Sequence, residues 1–174
     1  RYLKNDLDAI LVQADVADSW LRQSSDNKLG YFQMTAYPEP FWLLVNEKSG
    51  IDSVEDLKAG KHSLHIGPKA SGTAAAWDNL AYHVKENSWI KKERYSGIAT
   101  KNSRYLAGAA QVALDESQVQ LIVMGLNSDI MARIDAEFGD QLKLVPFDDS
   151  SFAKVKDREG NPVYRSCTIP GGTN

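Results

Sequence analysis

Apolar and polar positions fall along this chain in two kinds of block. Leu7–Val12, Tyr31–Ala36, Phe41–Val45, His62–Ile66, Leu121–Met124 and Leu142–Val145 are short apolar runs with the length and composition of strands. Between them the apolar spacing lengthens to three and four, the period of a helix packed on one face. Val16, Trp20 and Leu21 follow Asp15, which is placed to cap a first helix. Ile51–Gly60 reads as a second helix, opened by the capping signal Ser53-Val54-Glu55-Asp56 and stopped at Gly60. Trp77, Leu80, Ala81 and Val84 mark a third. A fourth spans Arg104–Glu116, with Leu106, Ala110, Ala113 and Leu114 expected inward. A fifth runs from Asp129 to Phe138, with Ile130, Ile134 and Phe138 inward and Gly139 as its stop. Residues 24–28, 87–103 and 148–162 are polar and carry no clear period.

Alternation of strand and helix predicts parallel pairing, and so an α/β sheet with helices on both faces. Ligands bind such sheets beyond the carboxyl ends of the strands. Three loops leave predicted strand ends: Gln13-Ala14-Asp15, Gly67–Thr73 and Gly125-Leu126-Asn127.

Composition narrows the picture. At 174 residues, 43% hydrophobic and 25% charged, the chain is sized for one globular domain or parts of two. The net charge of −3 argues against a nucleic-acid partner, and the dense basic cluster Lys91, Lys92, Arg94 is interrupted by Glu93. Cys167 is the only cysteine, which excludes an internal disulfide and a thiol-pair metal site without deciding the compartment. No apolar run approaches the ~18 residues of a membrane span. Two prolines in Tyr37-Pro38-Glu39-Pro40 hold the backbone extended and remove two ladder donors, which suits a crossing between two bodies. The chain opens at Arg1 without a leader and stops just after a Pro-Gly-Gly turn, so it is read as a segment of a larger protein.

The stretch Gly67-Pro68-Lys69-Ala70-Ser71-Gly72-Thr73 carries the most chemistry. It has the glycines of a phosphate loop but lacks the lysine and the following hydroxyl that would engage terminal phosphates and magnesium. What remains is a strand, a glycine turn, a capping serine and the amides of Gly72 and Thr73 at the positive end of a helix. That combination holds an anion without metal, a carboxylate as well as a phosphate. The plainer alternative is a capped turn. Gln13 could donate to a ligand; Asp15 could reach one, although helix capping is its plainer role. Tyr37 could present its ring and hydroxyl to a cleft, or be a strand-end tyrosine. Enzyme signatures are missing: no G-x-S-x-G elbow, no H-E-x-x-H or H-x-x-E-H, no G-x-G-x-x-G. His62 and His65 are expected on opposite faces of a strand, and the pair Asp148-Asp149 reads as solvated. No cofactor or metal is called for.

Several stretches, in order along the chain, resemble type 2 periplasmic solute-binding proteins, closest to the TAXI group of TRAP-transporter receptors. Ile51-Asp52-Ser53-Val54-Glu55-Asp56-Leu57-Lys58-Ala59-Gly60-Lys61 followed by Gly67 and Ser71-Gly72-Thr73 is similar to that group's "I-x-S-x-x-D-L-K-G-K…G-x-x-x-S-G-T". Ala9–Ala17 resembles its "a-i-v-Q-x-D-v-A", Ala36–Pro40 its "L-Y-P-E-p", and Ile169–Thr173 its "I-P-A-G-T-Y". Departures are the inserted Ala59, Gly171 for alanine, Asn174 for tyrosine, and Gln120-Leu121-Ile122-Val123 where the family has a "D-A-x-f" strand. The resemblance implies two α/β lobes around a hinge, with 1–36 the end of lobe 1, 37–40 the crossing, 41–146 lobe 2 and 147–174 a return segment. It implies a monomeric, non-enzymatic receptor in the periplasm or otherwise outside the cytoplasm, a lipoprotein form included. The receptor would capture a small organic anion or amino acid, glutamate-like or dicarboxylic, for membrane transporter subunits. Gln13, Asp15, Tyr37, Gly67, Ser71, Gly72, Thr73 and Gly125 would bind that ligand. A sensor domain of a receptor or kinase, and an α/β enzyme acting on an anionic substrate, are the alternatives.

Overall fold

The computed structural model of the chain describes residues 12–23, 37–59, 61–83, 99–150, 152–157 and 159–170. The expected strands at Leu7–Val12 (but for Val12) and Tyr31–Ala36, the Lys91–Arg94 cluster, the stop at Gly60 and most of the Ile169–Thr173 turn lie outside them.

Among the described residues, five α-helices and five strands follow in the order α1 (Ala14–Gln23), β1 (Phe41–Asn46), α2 (Val54–Ala59), β2 (Ser63–His65), α3 (Gly72–His83), β3 (Ala99–Lys101), α4 (Tyr105–Leu114), β4 (Gln118–Val123), α5 (Asp129–Phe138) and β5 (Leu142–Val145). The strands form one sheet in the order β3-β2-β4-β1-β5. The α/β class therefore stands, but the sheet is mixed. β2 pairs in parallel with β3 and β4, whereas β1 is antiparallel to both β4 and β5. The segment between β1 and β2, which holds α2, makes no crossover along the sheet. The chain leaves β1 at Asn46 and enters β2 at Ser63 from the same end, where Val45 and Leu64 both pair with Val119 of β4.

Alternation along the strands makes two cores. Leu43, Val45, Leu64, Val119 and Leu121 cluster with Ala74 and Trp77 of α3. Trp42, Leu44 and Ile122 cluster with Ala109 and Val112 of α4 and Met131 and Ile134 of α5. The inward face of α4 differs in part from expectation: Leu106 and Ala113 pack half-buried against the core, but Gly108, Ala109 and Val112 are the buried residues and Leu114 is 86% exposed. Alanine and glycine put α4 close to the sheet, and packing rather than hydrophobicity chose the face. β3 falls in a stretch that shows no strand pattern because all three of its residues are exposed and only its backbone pairs.

Candidate functional site

β2, β3 and β4 run in one direction, so their carboxyl ends lie together, and antiparallel β1 brings its entry, Tyr37–Pro40, to the same end. The Met124 N–H donates to the Pro40 carbonyl (3.4 Å), and Trp42 Nε1 donates to the Met124 carbonyl (3.0 Å). Three strand-end loops and the crossing thus meet.

The loop after β2 is held from both sides. Gly67 has φ of +76°, and a Cβ there would stand 2.7 Å from Tyr105 Cε1, so only glycine fits under that ring. The Gly67 carbonyl accepts from the Ser103 N–H (3.2 Å) and from Asn102 Nδ2 (3.1 Å). Pro68–Ser71 closes a turn through the Ser71 N–H and the Pro68 carbonyl (3.0 Å), with Ala70 at φ of +64°. Ser71 Oγ then accepts from the Ala74 N–H (3.2 Å), the capping role expected for it. The amides of Gly72 and Thr73, in the first turn of α3, are among those an α-helix leaves without an internal acceptor.

Thr73 is fully buried, and its hydroxyl serves the scaffold. It accepts from the Val123 N–H (2.9 Å) and shares a hydrogen bond with Tyr105 Oη (3.0 Å). Gln13 lies over Gly72 with Oε1 nearest, and a Cβ at residue 72 would collide with it; its Nε2 is bonded to Glu39. Tyr37 is 59% exposed, with its ring edge 3.3 Å from where a Gly125 Cβ would stand. Gln13, Glu39, Tyr37, Ser71, Gly72 and Gly125 are thereby brought to one end of the sheet.

Asp15 is placed otherwise. α1 begins at Ala14, so Asp15 sits inside the first turn and does not cap it. It is buried, accepts from the Val16 N–H (2.9 Å) and receives the Tyr164 hydroxyl (2.9 Å), which itself accepts from Asn79 Nδ2 of α3 (3.0 Å). Burial pushes the Asp15 carboxyl above its usual range, against the lowering effect of Tyr164 and the Val16 N–H. Burial likewise raises Tyr164. These three residues join α1, α3 and the segment after β5.

The sequence reading missed Asn102, Ser103 and Tyr105. Their one signal is a polar triplet and an aromatic just before a helix, and it was masked by the short exposed β3. His65 is buried with both ring nitrogens bonded, while His62, just before the strand, is partly exposed. Among the described residues no cluster of three metal-ligating side chains occurs, and no helix is long and apolar enough to cross a membrane. A cavity of about 170 Å³ lined by Met131, Ile134, Gly139 and Leu142 lies at the other end of the sheet.

Residues 23–174 match the NMT1-like family. The chain belongs to that family. Two solved structures are similar in part. The binding-protein component of an ABC phosphonate transporter from Pseudomonas aeruginosa is 25% identical over 64% of this chain and 36% of its own, with a TM-score of 0.46. A chain from the structural study of glutathione import through the cystine ABC importer of Streptococcus mutans is 18% identical over 65% and 43%, with a TM-score of 0.42. The present chain thus spans less than half of either one. Both are described with ABC importers, whereas the resemblance read from sequence is to receptors of TRAP transporters. No curated protein matches.

Proposed function

We propose that this chain forms one wall of the ligand cleft of a solute-binding receptor, of the type 2 periplasmic kind, and that the cleft lies at the carboxyl ends of β2, β3 and β4. Membership of the NMT1-like family supports this reading. The observation that carries it is the Gly67 loop, tied to the β3–α4 loop and delivering a serine-capped helix start beneath Gln13. The ligand is a small organic anion or amino acid, glutamate-like or dicarboxylic. Ser71, Gly72 and Gly125 line the site, Gln13 and Tyr37 close over it, and Thr73 supports it from below. Asp15 acts through Tyr164 rather than on the ligand. Residues 1–36 complete the opposite lobe, 37–40 form the hinge, 41–146 make the second lobe and 147–174 return toward the first. The receptor works outside the cytoplasm as a monomer, needs no cofactor, and hands its ligand to membrane transporter subunits of the TRAP class.

Calorimetric titration of the intact protein with glutamate, succinate and a nucleotide, with and without magnesium, tests this. Metal-independent binding of an acid, lost in Gly72→Ala, is expected, because the new methyl displaces Gln13 and covers the helix start. Magnesium-dependent nucleotide binding, or acid binding indifferent to Gly72→Ala, would sink the assignment.

A further inference from the structure

We infer that His65 is a positioning residue for the cleft: as the neutral ring with its hydrogen on Nε2 it accepts from Ser103 and so ties the wall loop Asn102–Tyr105 to the Gly67 loop. The inference rests on the site proposed above only in treating these loops as ligand-binding.

The tautomer follows from charges two bonds away. Lys101 Nζ donates to Gln118 Oε1 (3.1 Å), and Gln118 Nε2 donates to Asp115 Oδ2 (3.0 Å), so an ammonium and a carboxylate fix which way the carboxamide faces. His65 Nε2 lies 3.1 Å from that same Oε1, an atom that can only accept, and so it carries the hydrogen. Nδ1 is then bare and accepts the Ser103 hydroxyl at 3.0 Å. Ser103 in turn gives its N–H to the Gly67 carbonyl, beside Asn102. One residue therefore links a buried ring to a carbonyl of the ligand loop. The far end of the wall loop is pinned by Gln120, whose Nε2 donates to the Tyr105 carbonyl (3.0 Å).

Protonation at Nδ1 points a second N–H at Ser103 Oγ, and the serine must turn its hydrogen away. The charged groups facing the ring through Gln118 are Lys101 from β3, which opposes the new charge, and Asp115 from the α4–β4 turn, on the far side of the carboxamide. β4 and α4 otherwise present Gln120 and the α-carbon of Gly108, with a Cβ at 108 falling 2.9 Å from Ser103 Oγ and 2.8 Å from Gln120 Nε2. Gln120 Oε1 is buried with no donor among the described residues. Burial holds His65 below its ordinary value, as this arrangement requires. Acid thus charges the ring and reverses its bond with Ser103, Nδ1 becoming the donor and the serine hydroxyl losing its acceptor.

Side-chain nitrogen NMR of the intact protein without ligand decides the point. At pH 7.5 His65 should show the Nε2–H tautomer. On acidification it should titrate below 6.5, with the Ser103 amide shifting at the same midpoint. The Nδ1–H tautomer, a midpoint at or above 6.5, or a Ser103 amide unmoved as His65 charges would each overturn the inference. With glutamate as the probe, affinity should fall as His65 charges and level off once the ring is fully charged. Ser103→Ala should weaken glutamate binding several-fold at pH 7.5 and lose the pH dependence, and parent-like affinity or a retained dependence would overturn the link. If glutamate does not bind while the NMR result holds, the ligand assignment fails and the His65 coupling stands.

Discussion

The two faces of the sheet are built differently. Under α3, the residues Leu43, Val45, Leu64, Val119 and Leu121 make an apolar layer with every side chain buried. Under α4, the matching positions of β2 and β4 are His65, Gln118 and Gln120, all buried and hydrogen-bonded to the loop and turn around α4. Burying polar groups costs free energy unless they are paired, and the α4 face repays that cost in position. Its bonds reach Ser103 and Tyr105, the residues that border the Gly67 loop. The difference teaches that β2 and β4 give cohesion on their α3 side and position on their α4 side, where the apolar core is left to Trp42, Leu44 and Ile122 under α4 and α5.

Substitutions should separate these contributions. The largest loss is expected from Leu121→Ala, a fully buried leucine on the apolar face, at about 2–5 kcal/mol by chemical denaturation. A loss below ~1 kcal/mol would break the comparison. Gly67→Ala follows, with about 1–3 kcal/mol from the left-handed backbone. It should also displace the Tyr105 ring, visible as a changed tyrosine signal, and weaken acid binding. Gln120→Leu is expected to cost less than about 1 kcal/mol, because the lost bond to the Tyr105 carbonyl is offset by removing an unpartnered buried oxygen. Its mark should instead be weaker ligand binding, the signature of a positioning role.

The pH profile sharpens the comparison further. A base held below its unfolded value takes up its proton more readily on unfolding, so the contribution of His65 is full above about 6.5 and is lost as pH falls through the lower folded value. Asp15 has the opposite sign. Its carboxyl is raised, so acid relieves a cost present at neutral pH. Thermal melts from pH 7.5 to 4.5 should therefore decline more steeply in Asp15→Asn than in the parent, and more gently in His65→Asn. The smallest effect is assigned to Lys143→Met. Its ion pair with Asp52 is short at 2.6 Å, but Asp52 is well exposed, and the melting midpoint should not move measurably.

Much of this arrangement was legible along the chain. The Ser53–Asp56 capping signal became a reciprocal pair, with the Asp56 N–H on Ser53 Oγ (3.2 Å) and the Asp52 N–H on Asp56 Oδ2 (3.1 Å). α5 and β5 occupy the expected residues, and Ser71 caps α3. β3 was not legible, because a three-residue strand with exposed side chains leaves no period to read. The face of α4 was misread in part, because Leu114 outranks Gly108 in hydrophobicity, while close approach of the helix to Gln120 and Ser103 requires the glycine. Gln120 itself looked like a departure from a familiar strand, and its use emerged only when its amide was found on Tyr105.

The sequence by itself determined the local elements and the capped Gly67 loop, since capping hydroxyls, glycine turns and apolar period are properties of neighbouring residues. Strand direction, the company of the Gly67 loop and the fate of the polar side chains were decided only in the tertiary structure. β1 runs against β4 and β5, and that direction brings Tyr37–Pro40 to the end of the sheet where the Gly67 loop lies. Lys101 and Asp115, far from His65 in sequence, hold the Gln118 carboxamide beside it because the sheet order β3-β2-β4 flanks β2 with β3 and with the strand that Asp115 leads into. Hydrogen-bond partners separated by tens of residues have no period, so only the fold can name them.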